Sequence, residues 1–452
     1  MTLYVIGFIG AFLLILFSGL PVGFGLGVLA FAVLCVYAGP ETALNIGVEK
    51  AYASLNTDVL VAIPLFVLAA QLISATGMGK RLFDAARAVM GSSRAGLGAA
   101  TIASSGVFSA MTGSSFVAAS TMGLIAIPEL RKARFSDTAI SSAICAGGSL
   151  GAVIPPSLVL IIYGFLTDES IGKLFMAGLI PGFLLMFFYS LALALFSKGR
   201  AGSPTGESCT GSGESNPEES NPEESGRNGF DSARMSRLKA LREAFWGLMA
   251  PVIILGGIYL GIFTANEAAS VAVAYCTIIG FWVYKTLTVK KFWEVTMSAT
   301  IISSMIALVV IGGAMLSQSA VFGRVPQQIL ELIIAQNLPS GLLLFVVILF
   351  LFVLGMFLES VSLMYLAIPL LYPVVLHMEW NNIWFAMILL INVNLGLITP
   401  PMGGILYIVS QIGAIPFVTV VKGALMPIAV LLLVMMMLIV YPPIATWLPG
   451  LM

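Results

Sequence analysis

Gly147–Ser157 reads GGSLGAVIPPS, and the rest of the chain is arranged around it. It lies between apolar runs, yet it holds three glycines and two adjacent prolines. Proline lacks the N–H donor and its ring clashes with the preceding turn, so no helix runs unbroken through Pro155-Pro156. A second stretch, Asn392–Gly404, reads NVNLGLITPPMGG. There Leu395-Gly396 precedes Pro400-Pro401 at the spacing by which Leu150-Gly151 precedes Pro155-Pro156. In lipid, freed backbone groups are tolerated only where protein buries them or a water-filled cavity reaches them. Interrupted hydrophobic segments at corresponding places in two halves point to the binding site of a membrane transporter.

Composition supports that setting. Of 452 residues, 59% are hydrophobic and 9% charged, against roughly 45–50% and about 25% in soluble domains. Apolar runs reach the ~20 residues a spanning helix needs, and the alternation of barrel strands is absent. The expectation is an all-α polytopic membrane protein. A formal net charge of +0 suggests no nucleic-acid partner. Cys35, Cys145, Cys209 and Cys276 are scattered, with no metal spacing, and read as small apolar filler. Met1 runs into an apolar segment without a basic region, which reads as a retained helix rather than a cleaved signal.

Spans are expected near Leu3–Phe17, Pro21–Tyr37 and Val59–Ala75. Residues 77–94 carry Lys80, Arg81, Arg87 and Arg94 and read as an arm helix lying in the membrane interface. Within 96–128, the segment Ser104–Thr121 is dense in Gly, Ser and Thr. It reads as a re-entrant hairpin with its tip near Thr112–Ser115; the alternative is one helix packed closely through small residues. A broken helix over 137–165 and a span over Leu174–Phe196 complete a first unit, 1–197. Residues 198–242 hold the tandem SNPEE-SNPEE and cannot bury a core, so they read as a hydrophilic linker. Residues 243–452 form the second unit, with an arm region at 322–340, a hairpin at 342–373 and a broken helix at 382–412.

A shift of 245 residues carries Pro128 onto Pro373, Gly151 onto Gly396, Pro155 onto Pro400 and Gly178 onto Gly423. Charge separates the two copies. The loop after Pro128 holds Arg131, Lys132 and Arg134, whereas VVLHMEWNN after Pro373 holds no Lys or Arg. Basic loops mark the cytoplasmic side. Equivalent loops then lie on opposite faces, and the expectation is two inverted repeats with re-entrant hairpins and broken helices, as alternating-access transporters use. The linker, with seven Lys and Arg, is assigned to the cytoplasm.

A hairpin tip facing a broken helix supplies free carbonyls, hydroxyls and helix ends. Such hard oxygens suit a small cation such as Na⁺, and helix N-termini favour an anionic group. One cation site is expected between Thr112–Ser115 and Gly147–Gly151, a second between Glu359–Ser362 and Asn394–Thr399. An anionic substrate is expected between them, with Thr112, Ser157, Thr399 and Gly403 as candidate contacts. Glu359 is a candidate cation ligand or an anchor for a half-helix, or a carboxylate satisfied by backbone donors. Glu267, three residues after Thr264, reads as part of a capping box. No G-x-x-x-x-G-K-[ST] occurs, so the driving energy is expected from an ion gradient or another subunit.

These residues resemble the large membrane subunit of TRAP transporters (tripartite ATP-independent periplasmic), the DctM-like family. The resemblance rests on IPLFVLAA at Ile63–Ala70, SGVFSAMTGSS at Ser105–Ser115, GGSLGAVIPPS, GIFTANEAA at Gly261–Ala269, LGMFLES at Leu354–Ser360 and NLGLITPPMGG. It implies an elevator-type importer of the ion-transporter superfamily in the bacterial inner membrane, driven by Na⁺ and without an organic cofactor. It implies a small four-helix membrane subunit and a periplasmic binding protein as partners, and a carboxylate substrate such as a C4-dicarboxylate, a sialic acid or another sugar acid. Its Na⁺ sites carry over to Ser114, Ser115, Gly148 and Gly151, and to Asn394, Gly396, Thr399 and Pro400. The chain departs from the family's T-P-T-E pattern, reading Thr264-Ala265-Asn266-Glu267. Two other readings compete: a self-sufficient ion-coupled anion carrier of related fold, and a membrane enzyme with Ser114 or Ser115 as nucleophile.

Overall fold

The computed structural model describes residues 10, 20–91, 93–199, 225–336 and 339–451. The span expected over Leu3–Phe17 and the SNPEE tandem lie outside the described residues. Every described regular element is helical. The first half contains α1 (Val22–Ala38), α2 (Pro40–Leu55), α3 (Asp58–Thr76), α4 (Met78–Met90), α5 (Arg94–Thr112), α6 (Ser115–Lys132), α7 (Asp137–Val153), α8 (Leu158–Thr167) and α9 (Ile171–Gly199). The second half contains α10 (Ser225–Tyr259), α11 (Ala265–Ile278), α12 (Val289–Phe322), α13 (Val325–Gln336), α14 (Ser340–Gly355), α15 (Ser360–His377), α16 (Asn382–Leu397), α17 (Gly404–Gly413) and α18 (Phe417–Val440). Helix α10 runs unbroken from Ser225 through the basic piece Ser232–Arg242 into its span.

Local chemistry sets the helix ends. Ser136 caps α7 by accepting from the Ala139 N–H at 3.3 Å. Asn381, in the corresponding place, caps α16 by accepting from Ile383 and Trp384, both at 3.0 Å. Such side chains satisfy N–H groups that the first turn leaves free. The capping box at α11 is complete: Glu267 N–H donates to the Thr264 hydroxyl at 3.3 Å, and Thr264 N–H donates to the Glu267 carboxylate at 2.8 Å. Helices α5 and α6 are separate and pack on one another, breaking at Gly113 rather than running as one rod.

Among the described residues, seven helical segments are long and apolar enough to cross a membrane, or eight if α2 and α3, bent by 56°, make one span. Their burial divides them. Of the most apolar 18 residues of Asp137–Thr167, 83% are buried, and of Ser360–His377, 72%. The same figure is 33% for Ile171–Leu195, Leu238–Tyr259, Ala265–Val283 and Val289–Phe322. Protein encloses the first broken helix and α15, whereas α14 exposes Leu342, Phe345, Val346, Leu349 and Val353 and shares the lipid-facing surface with the long helices.

Helix boundaries recur at the 245-residue shift, from Ser115 to Ser360 and from Lys132 to His377. Packing exchanges under the same shift. Helix α8 packs on α15 while α17 packs on α6, and α1 packs on α12 while α11 packs on α3. The α1–α12 crossing is close because of glycine: a Cβ on Gly23 would lie 2.8 Å from the Leu308 carbonyl carbon. Small residues at such crossings let backbones approach in the absence of a hydrophobic drive between helices. On the other crossing the buried face of α11 is Ala268, Ala269, Ala272 and Cys276.

Candidate functional site

The first hairpin tip is two residues long. Helix α5 ends at Thr112, and Gly113 turns left-handed, with φ +60°. A Cβ at Gly113 would run into the Pro156 carbonyl oxygen, so the tip rests on the first break. Helix α6 begins at once, its Val117 N–H donating to the Ser114 hydroxyl at 3.5 Å. Gly151 on α7 lets the helix meet this tip backbone to backbone: a Cβ there would lie 2.7 Å from the Ser114 carbonyl carbon and the Ser115 Cα. The break itself, Ile154–Ser157, is buried throughout, and the Ser157 hydroxyl has no hydrogen-bond partner.

The second tip is looser. Helix α14 stops at Gly355, and Met356–Glu359 bridge to α15. Glu359 occupies the N-cap position, and its carboxylate accepts from the Ser362 hydroxyl at 3.2 Å. Gly396 meets Gly355, one turn before the tip, where a Cβ would collide with the Gly355 carbonyl. At the second break the Thr399 hydroxyl donates to Leu395 O at 2.6 Å, and Gly403 N–H donates to Thr399 O at 3.1 Å. Met402 is 51% exposed.

Of the hydrogen bonds that join the halves, one is made at the first tip. The Ser115 hydroxyl donates to Asn394 Oδ1 at 3.5 Å, and Asn394 Nδ2 donates to Leu390 O at 2.8 Å. Asn394, expected beside the second tip, is thus directed at the first. Both residues are buried.

Between the tips and the long helices lies a cavity of about 410 Å³, a size within the range of small-molecule sites. One wall is made by Thr112–Val117, Glu359–Ser362, Ala152, Leu158 and Val159. The opposite wall comes from the start of α1, from α3 and from α12. Helices α1, α6, α8 and α15 all begin at the cavity, and their N-termini carry partial positive charge suited to an anion. Glu359 offsets that charge at α15.

The structure sorts the candidate residues into three places. Thr112, Ser114, Ser115 and Glu359 line the cavity; the Thr112 hydroxyl also donates to Phe108 O at 3.1 Å. Gly148, Gly151, Asn394 and Gly396 lie behind the tips at helix contacts. Ser157, Thr399, Pro400 and Gly403 are not among the lining residues. Gln71 on α3, which does line it, had no place among the sequence candidates. A signal existed: Gln71 is the sole polar side chain between Asp58 and Ser74.

Residues 9–444 match the family model described as "Tripartite ATP-independent periplasmic transporter, DctM component". The chain belongs to that family. It is 34% identical over 448 residues to the sialic acid TRAP transporter large permease protein SiaM of Vibrio cholerae serotype O1, an alignment covering 99% of this chain and 98% of that one. It is 30% identical to the sialic acid TRAP transporter permease protein SiaT of Haemophilus influenzae, over 97% of this chain and 67% of that one. It is also 30% identical to the C4-dicarboxylate TRAP transporter large permease protein DctM of Vibrio cholerae serotype O1, over 96% of this chain and 95% of that one. As a DctM component the chain is a multi-pass inner-membrane permease rather than an enzyme. The geometry brings no histidine to Ser114 or Ser115. His377 closes the helix whose start lines the cavity, so ~25 Å of α15 separates it from the tips.

Proposed function

We propose that this DctM component is the large permease of a sodium-coupled importer for a carboxylate-bearing organic acid. It works with a small four-helix membrane subunit and a periplasmic binding protein that delivers the acid. Residues 1–197 and 243–452 act as two repeats of opposite orientation. Their hairpins and broken helices, α5–α8 and α14–α17, move together as an elevator against α1, α3 and α12. Supporting the inverted arrangement are the exchanged packing partners and the basic loop after α6, which has no basic counterpart after α15.

The observation that carries this reading is the cavity itself, bounded on one side by both hairpin tips and on the other by long helices. A ligand there touches the enclosed core and the lipid-facing frame at once, as a step between two faces requires. Four helix N-termini favour a carboxylate. Hydroxyl, amide and carbonyl oxygens at Ser114, Ser115, Asn394 and the chain breaks suit Na⁺. The substrates named for the relatives, sialic acid and C4-dicarboxylates, are carboxylates.

Uptake of labelled sialic acid and of labelled succinate into proteoliposomes tests this. Accumulation should require an inward Na⁺ gradient, the small subunit and the binding protein together. Uptake by this chain alone would support the self-sufficient carrier instead, and uptake indifferent to Na⁺ would remove the coupling.

A further inference from the structure

One corner of the long-helix frame carries more cations than it pairs. The end of α3 is gripped from two sides. Arg81 on the arm helix α4 donates to Thr76 O at 3.1 Å and to Gly77 O at 3.3 Å. From the far side of the α11–α12 connection, Lys291 Nζ donates to Ala75 O at 2.8 Å and the Thr286 hydroxyl to Thr76 O at 3.1 Å. The Arg81 guanidinium also lies 3.8 Å over the Tyr284 ring, and the Tyr284 hydroxyl donates to Glu243 O on α10 at 2.8 Å. These segments meet in one knot, and each carries a further cation in the adjoining position: Lys80 beside Arg81, Arg242 beside Glu243, Lys285 beside Tyr284, Lys290 beside Lys291. All four are exposed, and none is paired with a carboxylate among the described residues. The carboxylates of the same segments, Asp84, Glu243 and Glu294, are outnumbered by the six Lys and Arg of the knot.

We infer that this corner binds the headgroup of an anionic phospholipid from the cytoplasmic leaflet, its phosphate set among Lys80, Arg242, Lys285 and Lys290. Two observations fix the depth and the side. Trp246, Trp282 and Trp293 adjoin the knot in the chain and are exposed, as tryptophan is at the membrane–water boundary. Arg87, on the same arm helix, pairs with Glu129 just before the basic loop Arg131–Arg134, and basic loops mark the cytoplasmic side. Unpaired cations at that depth face the phosphates of the leaflet, whose anionic lipids attract juxtamembrane Lys and Arg. A zwitterionic headgroup brings its own ammonium and leaves the surplus uncompensated. The bound lipid braces the end of α3, whose earlier turns line the cavity. Neither the site nor its test depends on what the cavity carries.

The test uses the full-length chain in phosphatidylcholine bilayers with a small fraction of brominated lipid, whose bromine quenches tryptophan on contact. Brominated phosphatidylglycerol should quench more than brominated phosphatidylcholine at the same mole fraction, and Trp282→Phe with Trp293→Phe should remove more than half of that excess. In Lys285→Gln with Lys290→Gln, the phosphatidylglycerol fraction giving half the excess should rise about fivefold per cation removed. Lys285→Arg with Lys290→Arg should restore it. Lys173→Gln, at the start of α9 and away from the knot, should leave it unchanged. Equal quenching by the two lipids overturns the inference, as does an excess that survives the double glutamine variant or falls equally in Lys173→Gln, which would report surface potential alone. So does an excess abolished by millimolar inorganic phosphate, which would make the corner a site for the free anion.

Discussion

The two hairpin tips come from segments of the same design, yet they meet their broken helices differently. In the first half Gly151 presses on Ser114 and Ser115, and Gly113 presses on Pro156, so tip and break form one buried unit. In the second half Gly396 presses on Gly355, a turn short of the tip, and the break opens to Met402 at 51% exposure. The cause is the position of one glycine. SAMTGSS places Gly113 at the turn, whereas the second tip has Leu358 there and carries its glycine three residues earlier, at Gly355. A left-handed turn favours glycine. The first tip is therefore tight, and the second spends four residues on its reversal. The first break meets the cavity lining through backbone, Pro156 against Gly113, whereas the second broken segment meets it through side chains, Gly404 against the Phe116 ring and Asn394 against Ser115.

Matched alanine substitutions give the largest expected effects and can break that contrast. Each added methyl overpacks a backbone contact, which costs about 1–3 kcal/mol. Gly151→Ala and Gly396→Ala should both lower thermal stability by an amount of that order. Only Gly151→Ala displaces residues that line the cavity. It should abolish Na⁺-driven uptake, while Gly396→Ala retains wild-type half-saturation for Na⁺ and for the acid. Equal functional losses in the two variants would show that the second tip is coupled to its break as tightly as the first.

The next effect in size concerns the link between the first tip and the second broken helix. Ser115→Ala and Asn394→Ala each remove one oxygen from the pair joining the first tip to the second broken helix. Each should raise the Na⁺ concentration for half-maximal uptake about fivefold, and the double variant should add little, since contacting residues are not additive. Thr399→Ala should shift it less than about twofold, because that hydroxyl is already used within its own helix. A larger effect at Thr399 than at Ser115 would return the second cation site to where spacing alone put it.

What could be read from the chain divides along physical lines. Pro155-Pro156, Pro400-Pro401 and Gly113 act on their own backbone, so the breaks and the first turn are visible in any window containing them. The caps at Ser136 and Asn381 are equally local. Partners across the fold are not. Ser115 meets Asn394 across 279 residues of chain, and no periodicity encodes which half each tip faces. The cavity wall depends on how α3 and α12 stand against the tips, so Gln71 stays indistinguishable from any polar residue in a span until the helices are placed. Thr399 and Gly403, like Ser157, lie off the cavity lining for the same reason: no pattern in the chain shows which residues of a break face it.

The smallest expected effect lies where the halves differ most plainly in charge. Arg87 on the arm helix α4 pairs with Glu129 near the end of α6 at 2.5 Å, and Lys132 reaches the same carboxylate at 2.7 Å. The 245-residue shift puts Val374 in the place of Glu129 and His377 in that of Lys132, so the second hairpin has no such pin. The hydrogen bond from Lys132, with Arg87 beside it, holds the Glu129 carboxyl below its usual range. A carboxyl depressed in the folded state stabilises fully above its unfolded value and loses that contribution as pH falls through the folded one. With Glu129 at 24% exposure, Arg87 at 41% and Lys132 at 73%, solvent screens the cluster, and its worth is about 0.2–1 kcal/mol. Thermal unfolding of purified wild type and Glu129→Gln should therefore differ slightly at pH 7, converge in acid once the wild-type carboxyl is protonated, and converge in high salt as screening grows. A difference that survived both acid and salt would mean that Glu129 holds the arm by packing, and that the charge contrast between the halves marks only which face of the membrane each loop occupies.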